Sequence, residues 1–253
     1  MIERARLLLG FGLAVAISAL GPAPAQAVTC NTIDFEENRF TLCEVTLPQE
    51  TLRLYRTDPL GVPYGHFSEL ATRVEALGET LVFAMNGGMY HDDRAPVGHY
   101  VEDGVEQMRV IATPGPGNFG LLPNGVFCIR EGRADVIETG LYLESDPGCT
   151  YATQSGPMLV IDGELHPRFL PDSTSRYVRN GVGTSEDGQR VVFAISENAV
   201  TFHEFGRLFR DQIGVPNALF LDGNVSRLYA PEIGRSDLGR RMGPIIAVTE
   251  PAR

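Results

Sequence analysis

Four glycine-marked polar segments punctuate this chain, and they constrain its fold more than any other feature. They are Asn86-Gly87-Gly88-Met89-Tyr90, Gln154-Ser155-Gly156-Pro157, Arg179-Asn180-Gly181-Val182-Gly183 and Leu221-Asp222-Gly223-Asn224-Val225-Ser226. Three of the four are entered from apolar runs that read as strands. Polar side chains held at strand ends by glycine turns are a common way to build a site on a rigid scaffold. The expected fold is one that brings several strand ends together.

The surrounding pattern is mostly β. Residues 81–85 form a continuous apolar run leading into Asn86, and 191–196 form another that ends at Glu197. Residues 218–221 deliver Asp222, and 125–129 read as a further strand. Residues 45–55 alternate roughly apolar and polar and predict one strand. Hairpins are expected at Asp103-Gly104 and at Asp162-Gly163. Two helices stand out. One covers 67–77, with Ser68 as a candidate N-cap and Gly78 as its stop. The other opens on a capping box of Thr201 and Glu204 and ends at Gly214 and Pro216. The expected fold is a β-rich α+β single domain with a mixed sheet and a few packed helices.

The N-terminus reads as an export signal. Arg4 and Arg6 precede an apolar stretch over 7–20, too short to span a bilayer, and Ala25-Gln26-Ala27 supplies a small-residue cleavage pattern. The reading divides the chain into a signal peptide, 1–27, and a domain, 28–253, periplasmic or secreted. Net charge is −11. With no basic stripe, nucleic acid is not an expected partner, and no later segment suggests membrane insertion. The 21 basic residues are all arginine. Without lysine, Schiff-base chemistry, pyridoxal phosphate attachment and a Walker lysine are excluded, and no cofactor is expected. Without tryptophan, any sugar-stacking platform must come from Tyr or Phe.

Cys30, Cys43, Cys128 and Cys149 are even in number, which in an oxidising compartment favours two disulfides. Three pairings are open. The local one, Cys30–Cys43 with Cys128–Cys149, closes loops of about 13 and 21 residues, each worth about 3 kcal/mol.

Asp222 and Glu197 each follow an apolar strand, where a carboxylate is placed for acid, base or nucleophilic work. Asp222 also suits a turn that caps its own backbone. Two carboxylates are the minimal equipment for glycoside cleavage. Arg179 precedes a small-residue tripeptide along which backbone could approach a ligand, and its fork suits a phosphate. Asn86 with Gly87 and Gly88 offers an amide and backbone N–H groups. Gln154, Ser155 and Ser226 are hydrogen-bonding candidates. Ser155 lacks the flanking glycines of a nucleophile elbow. His91-Asp92-Asp93 offers metal-ligand types, but three adjacent residues do not easily face one ion.

In this order the segments resemble the phosphodiester glycosidase family. That family includes the domain of a lysosomal enzyme that uncovers mannose 6-phosphate, and many exported bacterial proteins. The resemblance runs from about 81 to 248. Residues 84–90 with Pro96-Val97-Gly98 and Asp103-Gly104 resemble its first block, 154–159 its second and 179–183 its third. Residues 197–214 resemble the stretch leading to its last block, 222–226, where the family commonly has a run of glycines instead of Asn224-Val225. The resemblance implies hydrolysis of a sugar-1-phosphodiester, or of a related envelope glycan. Asp222 and Glu197 would be the carboxylates and Arg179 the phosphate clamp. Asn86, Gly87, Gly88, Gln154, Ser155 and Ser226 would line the substrate. Two alternatives remain at this point. One is a non-catalytic glycan-binding protein on the same fold, motivated by Asn224-Val225. The other is a metal-dependent phosphodiesterase built on His91, Asp92 and Asp93.

Overall fold

The computed structural model describes residues 28–252; the expected signal peptide lies outside the described residues. Among the described residues, seventeen strands form three sheets. The first runs β1 (Val28–Phe35), β2 (Asn38–Thr46), β13 (Arg190–Ser196), β12 (Asn180–Thr184), β14 (Asn217–Asp222), β10 (Met158–Ile161) and β11 (Glu164–Leu165). The second runs β16 (Arg235–Ser236), β15 (Leu228–Ala230), β4 (Glu79–Asn86), β17 (Ile245–Pro251) and β3 (Thr51–Tyr55). The third runs β6 (Val105–Met108), β5 (Tyr100–Glu102), β9 (Tyr151–Ser155), β7 (Gly125–Arg130) and β8 (Arg133–Glu138).

The β-rich single domain agrees with the sequence reading; the mixed sheet does not. Every described strand pair is antiparallel. The connections explain this. Four hairpins close through two residues: Glu36-Glu37, Asp103-Gly104, Glu131-Gly132 and Asp162-Gly163. In each, at least one residue takes a positive φ, as at Asp103 (51°) and Gly104 (76°). Parallel neighbours would need crossovers of about a dozen residues or more, usually helical.

The single strand expected over 45–55 is two strands in different sheets. β2 stops at Thr46 and β3 starts at Thr51. Pro48 lies between them and has no N–H to give a ladder. The helix α1 (Phe67–Glu75) buries Phe67, Leu70 and Val74 at helical spacing. Its N-cap is His66, without a side-chain bond, so Ser68 sits inside the first turn instead of capping it. A short helix, α2 (Thr139–Ser145), escapes the sequence reading; the Glu138 carboxylate caps it through the N–H groups of Gly140 and Leu141. The helix α3 (Phe202–Arg207) has the expected capping box and continues as a π-helical turn, Leu208–Ile213.

Strand β12 also escaped, because Gly181 and Gly183 read as a loop. Their role is packing. A Cβ on Gly181 would lie 2.7 Å from the Leu219 carbonyl oxygen and 3.2 Å from the Phe205 ring. On Gly183 it would lie 2.7 Å from Val215 and 2.9 Å from the Phe209 ring. These glycines admit α3 and its π turn against the sheet, so the tripeptide is not an open approach for a ligand.

The main core fills the space between the sheets. Phe193 meets Phe83 at 4.8 Å and Phe127 at 6.0 Å between ring centres, one ring from each sheet. Fully burying a side chain of this kind contributes ~1.5–3 kcal/mol. Both disulfides take the local pairing, Cys30–Cys43 and Cys128–Cys149. The first joins facing residues of the β1–β2 ladder.

Candidate active site

All three sheets send a strand end to one place. β4 ends at Asn86, β9 at Ser155 and β14 at Asp222, while β12 begins at Asn180. Hydrogen bonds tie these ends together. The Asn86 Oδ1 accepts from Asn180 Nδ2 and, at 3.0 Å, from the Arg227 N–H. Asn180 Oδ1 accepts the Asp222 N–H at 2.9 Å. Ser155 Oγ donates to the Leu221 carbonyl at 2.9 Å. Asn86 Nδ2 is fully buried and has no partner. An unpaired buried donor costs about 1–3 kcal/mol.

Asp222 is 8% exposed and has no cationic partner among the described ion pairs. Burial pushes its pKa up, while N–H bonds from Asn224 (2.8 Å), Gly223 and Val225 partly hold it down. The turn-capping geometry is therefore present, in a buried carboxylate at a strand end. Val225 is buried with Tyr64, Phe67 and Met242, which accounts for a bulky residue in this loop: it anchors the loop to the core beneath α1.

The other sequence candidates divide sharply. Gln154 is saturated: Oε1 accepts from His99 N and Ile111 N, and Nε2 donates to Ile111 O and Thr139 Oγ1. Ser226 Oγ points at the carbonyls of Val178 and Asp222. The backbone of Gly87 is engaged at both ends, by Pro244 O and Thr153 Oγ1. Gly88 has φ 121°, and a Cβ there would lie 2.9 Å from Thr153 Oγ1. Glu197 accepts from Thr41 Oγ1 at 2.6 Å and pairs with Arg235, which also binds Asp237.

Arg179 is 1% exposed. Its Nε donates to Val200 O at 2.9 Å and its Nη2 to Ser175 O at 3.1 Å, while the buried Nη1 has no partner. The guanidinium lies 3.6 Å from the centre of the Phe202 ring, with Tyr177 and Phe220 each at 5.5 Å. Burial lowers its pKa to about 10. His91, Asp92 and Asp93 are exposed, and no group of three or more His, Cys, Asp or Glu is arranged to hold a metal among the described residues.

The sequence reading gives no role to Tyr90 or Arg227, although the charges of Asp222 and Arg227 both act on the Tyr90 phenol. Burial raises the Tyr90 phenol's pKa and the Asp222 charge raises it further; the charges of Arg94, Arg227 and Arg240 lower it. Arg227 is 5% exposed, and burial lowers its pKa. The available signal was adjacency: Tyr90 closes the first segment, and Arg227 directly follows the last.

A family model described as phosphodiester glycosidase matches residues 79–248. The Escherichia coli (strain K12) uncharacterized protein YigE is 32% identical over 213 residues, covering 83% of each chain. Two solved structures share the fold. The zebrafish N-acetylglucosamine-1-phosphodiester alpha-N-acetylglucosaminidase catalytic domain, auto-inhibited by its pro-peptide, aligns with TM-score 0.58 at 13% identity, over 87% of this chain and 81% of that one. A Burkholderia pseudomallei K96243 protein described as exported aligns with TM-score 0.55 at 11% identity, over 83% and 74%.

Proposed function

This chain belongs to the phosphodiester glycosidase family, and we propose that it hydrolyses the bond between C1 of a sugar and a phosphodiester oxygen. The observation that carries the reading is Asp222: a buried carboxylate without a counter-ion, fixed at the junction of the three sheets. Water adds its oxygen to the anomeric carbon, the C1–O bond breaks, and the phosphate leaves as a monoester. The transition state resembles an oxocarbenium ion, so Asp222 stabilises it or attacks it directly. A phosphate leaving group needs little protonation. What it needs is a cation, and Arg227 beside Tyr90 supplies one. Asn86 Nδ2 donates to a substrate oxygen.

Glu197 and Arg179 receive different roles from those of the sequence reading. Glu197 is committed to Arg235 and Thr41, and Arg179 to backbone carbonyls and rings. Export of a mature domain, 28–253, with cleavage after Ala27, is part of the proposal. Two disulfides suit an oxidising compartment, and the Burkholderia protein of like fold is described as exported. No described helix is long and apolar enough to cross a membrane.

The experiment is hydrolysis of sugar-1-phosphodiesters in oxygen-18 water by the purified chain, with and without chelator. Label in the free sugar, indifferent to chelator, is expected. Label in the phosphate, lost with chelator, would replace the reading by a metal-dependent phosphodiesterase. Saturable binding without turnover would leave a glycan-binding protein.

A further inference from the structure

Strand β14 carries a bulge immediately before Asp222. Along β12 and β14 the ladder pairs Gly181 with Phe220 but Asn180 with Asp222, so Leu221 has no partner on β12. An extra residue of this kind bends the strand and leaves backbone groups outside the ladder. Side chains take both of them here. The Leu221 carbonyl accepts from Ser155 Oγ at 2.9 Å, at the end of β9 in the third sheet. The Asp222 N–H donates to Asn180 Oδ1 at 2.9 Å. Ser155 and Asn180 are both fully buried.

Backbone N–H groups, which only donate, fix which way each amide points. The Asp222 N–H faces Asn180 Oδ1, which turns Asn180 Nδ2 toward Asn86. The Arg227 N–H, at 3.0 Å, identifies the Asn86 atom that it meets as Oδ1. Asn180 Nδ2 donates to that same oxygen. Reversing either amide would set two donors against each other. One pair of amides therefore links Asp222 on the first sheet, Asn86 on the second and the backbone of Arg227. These are residues given to the reaction above, and Asn180 commits both ends of its amide to this link. Asp222 in turn rests its carboxylate on the N–H groups of the loop that it opens, Asn224, Gly223 and Val225, and these bonds lower its pKa against the effect of burial. A loop whose first N–H is fixed keeps those donors aimed.

We infer that Asn180 is a positioning residue for the reaction: its two amide bonds set the backbone of Asp222 at the bulge and the side chain of Asn86, and it acts through them. The inference rests on the glycosidase reading above for which residues react.

The test separates positioning from a plain cross-link between sheets. Asn180→Ala, Asn86→Ala and the double variant are compared with wild type, and Asn180→Leu serves as a second variant that keeps the buried volume. Two quantities are read: kcat/KM on a sugar-1-phosphodiester, and the titration midpoint of the Asp222 carboxyl carbon by carbon-13 NMR, which needs no turnover. Each single variant is expected to lose about tenfold or more in kcat/KM. The double variant should lose about tenfold less than the two losses multiplied. In the Asn180 variants the loop donors loosen, so the Asp222 midpoint should rise by on the order of half a pH unit, and the acid limb of kcat with it. A cross-link alone would lower the melting temperature and leave the midpoint in place. Losses that multiply, or an unmoved midpoint in a folded Asn180 variant, overturn the assignment even if wild type hydrolyses the substrate. A midpoint that rises in a protein without turnover overturns the hydrolase reading and keeps Asn180 as the residue that sets Asp222. No turnover with an unmoved midpoint overturns both.

Discussion

Two buried arginines lie within the same domain, and they have been put to opposite uses. Arg179 is enclosed on every side: two backbone carbonyls take its N–H groups and the Phe202 ring lies flat against it. Arg227 packs against Gly239 and, among the described residues, its guanidinium forms no hydrogen bond or ion pair; its charge and that of Asp222 both act on the Tyr90 phenol. Arg179 keeps one buried orphan, Nη1, but its two carbonyl bonds and the ring make it mainly a fastener. Arg227, without such bonds, is the arginine proposed to meet the ligand. The sequence places an arginine next to a glycine-marked motif in both cases; only the partners separate them.

The comparison can be broken most decisively at Asp222. Asp222→Asn keeps an acceptor for the loop N–H groups and removes the charge. The expected loss in kcat is on the order of 10²–10⁴-fold. Stability should move the other way. Burial raises the folded pKa of Asp222 above its unfolded value, so its ionised form destabilises the fold as pH rises through that folded pKa. The variant should therefore melt higher than wild type at pH 7. The difference should vanish at pH values where both folded and unfolded wild type are protonated. For the same reason the acid limb of wild-type kcat should lie above the ordinary aspartate range. A folded variant with normal turnover, or one that melts lower at pH 7, would remove Asp222 from the reacting centre.

Arg179 gives the next largest effect, and on stability instead of turnover. In Arg179→Met the carbonyls of Val200 and Ser175 lose their donor, at ~1–3 kcal/mol each, and the face of Phe202 loses a cation contact of ~2 kcal/mol. Against this stands the relief of a buried charge whose pKa is lowered to about 10 from 12.5, roughly 3 kcal/mol. The balance is a net loss of roughly 1–5 kcal/mol, or a melting temperature lower by about 2–20 °C. KM at low temperature should change less than threefold. A tenfold rise in KM without a melting shift would return Arg179 to the phosphate.

The strand ends were legible because each is an apolar run that stops at a polar residue before a glycine: Asn86 and Asp222 are where the sequence puts them. The two-residue hairpins and the Thr201–Glu204 cap were legible for the same local reason. What was hidden depends on partners distant in the chain. Gly181 and Gly183 look like a loop until Phe205 and Phe209 are packed on them. Gln154 looks like a ligand group until His99, Ile111 and Thr139 are seen to use all its bonds.

Glu197 offers the finest discrimination. It stands after its strand as Asp222 does, and sequence gives the two equal claims. Their environments differ: Asp222 is buried and lacks a cation, while Glu197 is about a third exposed and paired with Arg235. A pair at that exposure is worth only about 0–1 kcal/mol. Glu197→Gln keeps an acceptor for Thr41 and Arg235 and should lower the melting temperature by no more than about 4 °C. Turnover should stay within about threefold, because a carboxylate bound to Arg235 and Thr41 is not free to act at C1. If instead Glu197→Gln loses activity as Asp222→Asn does, the Arg235 pair must open in the reacting complex. The site would then have two carboxylates, one held unpaired by burial and one released by substrate.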